Sequence, residues 1–379
     1  MQRVAVFAGA LGQVCCWLVL GCGASGPDGL VEPPARGGQL VGSGMNGGGE
    51  LIEAMVDRIS TETNPNYRYS FEGAKFVPPE GKTLLILGQT LGGIEEHVAS
   101  FPDQPLPGGW AAYWGIPSLD GVTNTFLNET GGRQNHQQLI DDYPNTVIQS
   151  GLWMVGNFEV ARRTVAGEFD QVVRDFSRWV KNIERPFYLR IGYEFDGQHN
   201  ALEPEEYVQA YRRIVDLMRS EGVRNVAFVW HSYAAPTFRG YQLGLWYPGD
   251  DYVDWVGISL FGQSYLRTPS REVETVFEYA RDRRKPVMVA ESSPVNGVRG
   301  PADWDRWFVN FFSLVYERNI KAVSFINEDW ERFNFPGVSW GDSRLQNDPD
   351  IAAAWFLETN KDRYLKQSPE LFLQLGYTP

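Results

Sequence analysis

Apolar residues in this chain cluster in short, nearly continuous runs from Thr83 onward, with polar segments between them. Runs that are apolar at consecutive positions, rather than at alternate ones, are typical of parallel strands covered on both faces. The sequence therefore predicts eight buried strands. They are TLLILGQ from Thr83, AAYWGI from Ala111, TVIQSGLWM from Thr146, PFYLRIGYEF from Pro186, NVAFVWHS from Asn225, YVDWVGISLF from Tyr252, KPVMVAES from Lys285 and KAVSFINE from Lys321.

Helical periodicity occupies segments between these runs. Pro204 suits the first turn of a helix, apolar residues follow at 3.6-residue spacing as far as Met218, and Gly222 ends the pattern. The same periodicity recurs at residues 172–183 and 304–315. Strands that alternate with helices in this way predict an α/β fold, a (β/α)₈ TIM barrel. The alternative is a doubly wound sheet, but LGQTLGG after the first run lacks the G-x-G-x-x-G phosphate loop.

The part of the chain before the first run has a different composition. Residues 22–49 are rich in Gly, Pro and Ser without periodicity, which favours a flexible tether. Residues 50–80 are ambiguous, and we predict an N-terminal extension packed on the domain. Residues 81–379 are expected to form a single barrel domain.

All three cysteines, Cys15, Cys16 and Cys22, lie at the N-terminal end of the chain. An early Arg3, an apolar run and a small residue before Cys22 are typical of a secretory signal. The segment resembles a bacterial lipoprotein signal, which implies a signal peptide at residues 1–21 and a lipid on Cys22. An exported protein, anchored by its lipid to a membrane of the cell envelope, is then expected. An ordinary cleaved signal and an uncleaved anchor are the alternatives.

Charge and composition narrow the range of partners. The chain of 379 residues has a formal net charge of -13, and its densest basic stretch is the short RDRRK at residues 281–285, so we expect no nucleic-acid partner. Thirteen Trp and 17 Tyr provide flat faces that suit sugar rings, although most are expected in the core. The four histidines, at 97, 136, 199 and 231, lack the close spacing of zinc sites, so no metal site is expected.

Candidate site residues lie where the predicted strands end, because barrel sites form at that face. Arg190 and Glu194 occupy alternate positions of the fourth run and are predicted to face the barrel mouth together. By the same alternation Glu291, at the end of the seventh run, shares a face with Val287 and Val289.

Two carboxylates at one barrel mouth favour glycoside hydrolysis. A buried carboxylate is costly unless it is paired or used in catalysis, and an ion pair with Arg190 would explain either Glu alone. A retaining glycosidase holds its two carboxyl groups about 5 to 5.5 Å apart, and an inverting enzyme holds them farther apart. Asp196 lies in a DG turn beyond the fourth run and is predicted to be a turn residue.

Residues 80–360 resemble glycoside hydrolase family 26, a family of retaining clan A barrels best known for β-mannanases. The resemblance rests on RIGYEFDG from Arg190, YPGDDYVDWVGISLFG from Tyr247 and KPVMVAESSP from Lys285. It implies that Glu194 is the catalytic acid/base and Glu291 the nucleophile.

Two positions depart from that family. Members commonly have His before the acid/base, where this chain has Tyr193, and a Tyr near the end of strand six, where Phe261 lies nearest. The resemblance implies an endo-β-1,4-mannanase, with β-1,3-xylanase or β-glucanase activity as the alternatives. Residues expected to bind the substrate are Trp114, Arg190, Tyr193, Trp230, His231, Phe261 and Trp330.

The expected enzyme binds polysaccharide, requires no cofactor and is a monomer. The alternative of another class is a non-catalytic lipoprotein that binds carbohydrate on a barrel without cleaving it.

Mass spectrometry of the mature N-terminus tests the lipoprotein interpretation. We expect the mature chain to begin at Cys22 with acyl chains attached, and Cys22→Ala to release the protein from membranes because those chains supply the membrane affinity. Cys16→Ala, a control within the same segment, should leave processing unchanged. An unmodified Cys22 would contradict the interpretation.

Overall fold

The structure is a computed structural model that describes residues 47–71, 73–128, 131–154, 158–234, 242–262, 266, 269–333 and 340–378. The predicted signal peptide, Cys22 and the first part of the predicted tether lie outside the described residues. Within the described ranges, no helix is both long and apolar enough to cross a bilayer.

Eight parallel strands close into a barrel. Neighbours in the order β1, β2, β5, β6, β7, β8, β9, β10 are paired, and β10 pairs back with β1, where Leu84 lies opposite Ala322. The predicted (β/α)₈ barrel is therefore confirmed. The described strands are β1 (Thr83–Gly88), β2 (Gly109–Gly115), β3 (Phe126–Asn128), β4 (Gly132–Gln134), β5 (Val147–Trp153), β6 (Phe187–Ile191), β7 (Val226–Ser232), β8 (Trp255–Leu260), β9 (Val287–Ser292), β10 (Ala322–Ile326) and β11 (Tyr364–Leu365). The pair β3 and β4 forms an antiparallel hairpin outside the barrel.

Helices surround the barrel. The described helices are α1 (Gly47–Val56), α2 (Leu91–Ser100), α3 (His136–Asp142), α4 (Phe158–Val165), α5 (Asp170–Asn182), α6 (Pro204–Ser220), α7 (Arg271–Asp282), α8 (Val309–Glu317), α9 (Pro349–Thr359) and α10 (Leu371–Gln374). As predicted, α6 begins at Pro204, and Gly222 follows its end with a left-handed φ of 76°. A π-helical turn at Trp304–Phe308 precedes α8, and together they carry the aromatic face predicted at residues 304–315.

Side chains of each barrel strand alternate between the barrel interior and the helical layer. Tyr188, Met288 and Ala290 belong to the interior cluster. Leu189 and Val289 belong to the larger cluster that packs against the helices. This alternation decides which strand-end residues can reach the barrel mouth.

The predicted N-terminal extension packs on the barrel. It starts with α1, which begins at Gly47, inside the predicted tether. The indole Nε1 of Trp304 donates to the carbonyl of Met55 at 2.7 Å. Phe76 joins the interior cluster, where the Tyr188 hydroxyl donates to its carbonyl at 2.7 Å. The extension therefore contacts both the helical layer and the barrel interior.

Substitution of Trp355 in α9 tests how much packing between the helices and the barrel strands stabilises the fold. Its indole is 1% exposed and lies 4.8 Å from the ring of Phe325 and 5.4 Å from that of Phe312. We expect Trp355→Ala to lower the free energy of unfolding by about 3 to 5 kcal/mol, through lost burial and the cavity it leaves. Denaturant titration measures this value. Leu357→Ala, at a 40% exposed position of the same helix, should cost far less, and equal losses would contradict the packing.

Candidate active site

Strand alternation brings four polar side chains to the barrel mouth. Tyr113, Arg190, His231 and Ser259 end β2, β6, β7 and β8 with the parity of the interior residues on the same strands. Because the carboxyl ends of all eight strands open at one face, these side chains meet there.

Glu291 reaches this group through an irregularity in β9. Pairing with β8 runs from Ile258 opposite Val289 directly to Ser259 opposite Glu291, so that Ala290 is an extra residue. Such a bulge re-aims the side chain that follows it. Val289 points to the helices, and plain alternation would send Glu291 outward as well. The expectation that Val287, Val289 and Glu291 share a face is therefore wrong.

Glu194 reaches the mouth from a turn. Strand β6 ends at Ile191, earlier than predicted, and Glu194 has a left-handed φ of 53°. Its carbonyl accepts from the Gly197 amide at 2.9 Å and from Nδ2 of Asn200 at 2.6 Å. Glu194 was expected to end the inward face of the strand. It lies instead in a turn after the strand, and hydrogen bonds within the turn hold it in place.

Arg190 and Glu291 form a buried ion pair. The guanidinium is fully buried, and its Nη1 donates to Oε1 of Glu291 at 2.5 Å. The Tyr113 hydroxyl donates to the same oxygen at 2.6 Å, and its ring lies 4.8 Å from the guanidinium. At Gly151 on β5 a Cβ would lie 2.6 Å from the Tyr113 ring, so this glycine makes room for the pair.

A hydrogen-bonded chain runs from this ion pair to Glu194. Arg190 Nη1 lies 3.3 Å from His231 Nδ1, His231 Nε2 lies 2.9 Å from Ser259 Oγ, and Ser259 Oγ lies 2.5 Å from Glu194 Oε1. Arginine can only donate, so His231 accepts at Nδ1 and donates from Nε2. Ser259 then donates to Glu194 Oε1. Burial, followed by the charge of Arg190, lowers the pKa of His231 to about 3, in keeping with a neutral ring.

The second oxygen of Glu194 pairs with His199. His199 Nε2 lies 2.9 Å from Glu194 Oε2, at the partly exposed side of the site. Burial would raise the pKa of Glu194, but the hydrogen bond and charge of His199, with smaller contributions from His231 and Ser259, hold it below its usual value. Burial would lower the pKa of His199, but Glu194 raises it. Both shifts favour an ion pair between a Glu194 carboxylate and a protonated His199.

Glu291 has a different electrostatic environment. Burial raises the pKa of its carboxyl above the usual value, Glu194 adds to this, and Arg190 and Tyr113 oppose it. Burial would lower the pKa of Arg190, but Tyr113 and Glu291 raise it. A guanidinium that stays protonated when buried needs a charged partner, so Arg190 favours the ionised form of Glu291.

Trp114 and Trp230 do not line the mouth, contrary to expectation. Trp114 is 3% exposed and stacks on Phe176 of α5, with ring centroids 4.3 Å apart. Trp230 is fully buried and stacks on Phe195 at 4.7 Å. Both have the outward parity of their strands, and the residues beside them, Tyr113 and His231, take the inward positions.

The other residues expected to bind substrate differ in how much of their surface is exposed. Arg190 and His231 are fully buried beneath the carboxylates, which corrects the expectation that they contact substrate directly. Phe261 and Trp330 are 7% and 8% exposed in a small apolar cluster with Ile326. Tyr193 is half-buried, with its ring 5.2 Å from that of Tyr113.

Two further carboxylates near the strand ends have structural partners. Asp196, predicted to be a turn residue, accepts from Ser232 Oγ at 2.7 Å and the Tyr233 amide at 2.6 Å. Glu328, after β10, accepts from Thr90 at the start of α2. In the parts of the chain that the structure describes, no three His, Cys, Asp or Glu side chains are grouped to hold a metal ion.

Three residues of the site, Tyr113, Ser259 and His199, were not among those predicted to catalyse or to bind substrate, although the first two are polar residues at predicted strand ends. Strand parity, applied to the ends of β2 and β8, would have indicated the first two. His199 lies on a short 3₁₀ turn, Gln198–Asn200, and no sequence pattern indicated its contact with Glu194.

Glu194 and Glu291 form a pair of carboxylates in unlike surroundings. Each side chain keeps about a tenth of its surface exposed, 9% and 10%. One faces a guanidinium and the other an imidazole. Such a pair can place one negative charge and one transferable proton on the same ligand.

A family profile and individual relatives of known activity both indicate the same enzyme family. The sequence profile of glycosyl hydrolase family 26 matches residues 160–300. The chain is 32% identical to the beta-1,3-xylanase TXYA of a Vibrio species over 332 residues, 80% of this chain and 70% of that protein. It is 30% identical to a beta-1,3-xylanase of an Alcaligenes species, over 80% of this chain and 68% of that protein.

Solved structures share the fold. The catalytic domain of the family 26 endo-beta-1,4-mannanase from Bacillus sp. JAMB-750 superposes with a TM-score of 0.57 at 15% identity, covering 84% of this chain and 95% of that chain. With the profile match and these relatives, the chain belongs to glycosyl hydrolase family 26 and is a glycoside hydrolase built on a (β/α)₈ barrel.

Proposed function

We propose that the protein cleaves a β-linked polysaccharide with retention of configuration, with Glu291 as nucleophile and Glu194 as acid/base. The unlike surroundings of the two carboxylates carry this proposal. Arg190 and Tyr113 donate to one oxygen of Glu291, which suits an ionised nucleophile. Oε2 of Glu194 contacts the partly exposed imidazole of His199, a group that can exchange protons, which suits an acid/base.

The mechanism has two steps. Glu291 attacks the anomeric carbon while Glu194 gives a proton to the glycosidic oxygen, so that the C–O bond breaks and a glycosyl ester forms on Glu291. Glu194, now a carboxylate, takes a proton from water as the water oxygen attacks the ester. Arg190 retains its proton throughout and stabilises Glu291 whenever that carboxylate is free.

The proposed substrate is β-1,3-xylan. Two relatives named as beta-1,3-xylanases match most of this chain at 32% and 30% identity. The mannanases match in fold at 15% identity, so they do not argue for mannan. Tyr193, where family members commonly have His, supports a sugar subsite that departs from theirs without favouring either polymer. A β-1,4-mannan, the expectation from the sequence resemblance, is the second candidate.

We also propose that the enzyme acts at the cell envelope. The resemblance of the N-terminal segment to a lipoprotein signal supports a lipid on Cys22, and the Gly-rich tether would let the barrel reach polymer away from the membrane. No cofactor and no second subunit enter the proposed mechanism.

A polysaccharide panel tests the substrate. Purified protein is incubated with β-1,3-xylan, β-1,4-mannan and mixed-linkage β-glucan, and the products are sized by chromatography. We expect short xylo-oligosaccharides from β-1,3-xylan at a rate at least about tenfold above the other two, because a factor of ten corresponds to only about 1.4 kcal/mol of transition-state binding. Faster release from mannan would overturn the substrate. Glycan binding without release from any polymer would favour a binding protein.

Variants of the two carboxylates test the assignment. We expect Glu194→Gln to lose about 10² to 10⁴-fold in activity on polysaccharide, since the leaving group is no longer protonated. It should act better on an aryl glycoside whose leaving group needs no proton. Glu291→Gln should be inactive on both, because the nucleophile is lost.

Glu328→Gln is the matched control, because Glu328 is another buried strand-end carboxylate with a separate partner, Thr90. It should keep most of its activity, and circular dichroism should show all three variants folded. Wild-type rates in either catalytic variant would refute the assignment.

A further inference from the structure

His199 is the half-buried titratable group of the site that the two-step mechanism does not use. Its side chain keeps 29% of its surface exposed and lies on the 3₁₀ turn after Glu194. Nε2 contacts Oε2 of Glu194 at 2.9 Å, and the ring stands edge-on to Tyr233 with centroids 5.1 Å apart.

Hydrogen-bond polarity determines which oxygen of Glu194 can carry a proton. Arg190 fixes the direction of the chain through His231, so that Ser259 donates to Oε1 at 2.5 Å. An oxygen that already accepts this hydrogen bond is poorly placed to hold the transferable proton. The proton of the acid form therefore resides on Oε2, the oxygen in contact with His199.

Close packing holds the imidazole in this position. A Cβ at Gly197 would lie 2.4 Å from His199 Cε1 and 3.0 Å from Nε2. Gly197 has a φ of -69°, which any residue adopts, so its small size matters only for the approach of the ring. The turn is further tied by Asn200, which donates to the carbonyls of Tyr193 at 3.1 Å and Glu194 at 2.6 Å.

We propose that His199 is a positioning residue that stores the catalytic proton for Glu194. This inference rests on the proposed role of Glu194 as acid/base. In the free enzyme the proton sits on His199 Nε2, opposite a Glu194 carboxylate. It passes to Oε2 and then to the glycosidic oxygen as the C–O bond breaks, and water returns one proton to Glu194 in the second step.

Charges around His199 favour the stored proton. Glu194 and Asp196 face it from the turn after β6, Glu291 faces it from β9, and the Tyr233 ring faces it from the end of β7. The three carboxylates raise the pKa of His199 against the effect of burial. In a coupled pair the last proton is lost at a pKa at least as high as that of either partner alone. His199 therefore extends the protonated state of the pair to higher pH.

The test is the basic limb of the pH profile of kcat/KM. His199→Gln keeps a hydrogen-bonding side chain of similar size but cannot hold the proton. We expect the basic limb of its pH profile on an oligosaccharide to move to lower pH by at least about one unit. At the pH of the wild-type basic limb, the kcat/KM of the variant should then be about tenfold below the variant's own optimum. With an aryl glycoside that needs no protonation, the wild-type and variant limbs should coincide.

Gly197→Ala is a second variant that keeps the imidazole but pushes it away from Oε2. Its basic limb should move in the same direction as that of His199→Gln. Gly300→Ala is the control, since a Cβ there meets nothing within 4 Å. The basic limb of its pH profile should match that of the wild-type enzyme.

The possible outcomes separate the two proposals. A His199→Gln variant that loses rate evenly at all pH values would overturn the proton store and leave Glu194 as acid/base. The same holds for a folded Gly197→Ala variant with a wild-type basic limb. An active Glu194→Gln variant would overturn the proposed function itself.

Discussion

The buried guanidinium of Arg190 is the charge on which the site is built. Removing such a cation from water costs several kcal/mol unless a carboxylate compensates for it, and Glu291 does so at 2.5 Å. Because the guanidinium only donates, it also fixes the tautomer of His231. That ring directs Ser259 to Glu194, so one permanent charge orients both carboxylates of the site.

Both carboxylates reach the mouth through departures from regular strand geometry. A bulge at Ala290 turns Glu291 toward Arg190. Glu194 lies in the turn after β6 and has a left-handed backbone conformation. Backbone irregularities of this kind persist only where surrounding contacts stabilise them, as the hydrogen bonds of Asn200 do here. The regular strands supply Arg190, His231 and Ser259, and the irregular segments supply the groups proposed to react.

The barrel could be predicted from the sequence because strands covered on both faces are apolar at nearly every position. That same continuity conceals which side chains point inward, and so Trp114 and Trp230 were predicted at the mouth although their neighbours Tyr113 and His231 take the inward positions. Nothing in the run VMVAES indicates the bulge at Ala290, since a bulge depends on pairing with β8. The contact between His199 and Glu194 depends on the path of a turn, which residue types alone did not predict.

Family membership determines the reaction class, and local geometry supports a division of roles between Glu194 and Glu291. Trapping of the glycosyl-enzyme tests that division most directly. The protein is incubated with a glycoside bearing fluorine at C2, which slows breakdown of the ester intermediate, and its peptides are sequenced by mass spectrometry. The structure predicts one added glycosyl mass on the peptide containing Glu291, at Glu291 itself. A label on Glu194 or another carboxylate, or turnover with no covalent species, would contradict the account.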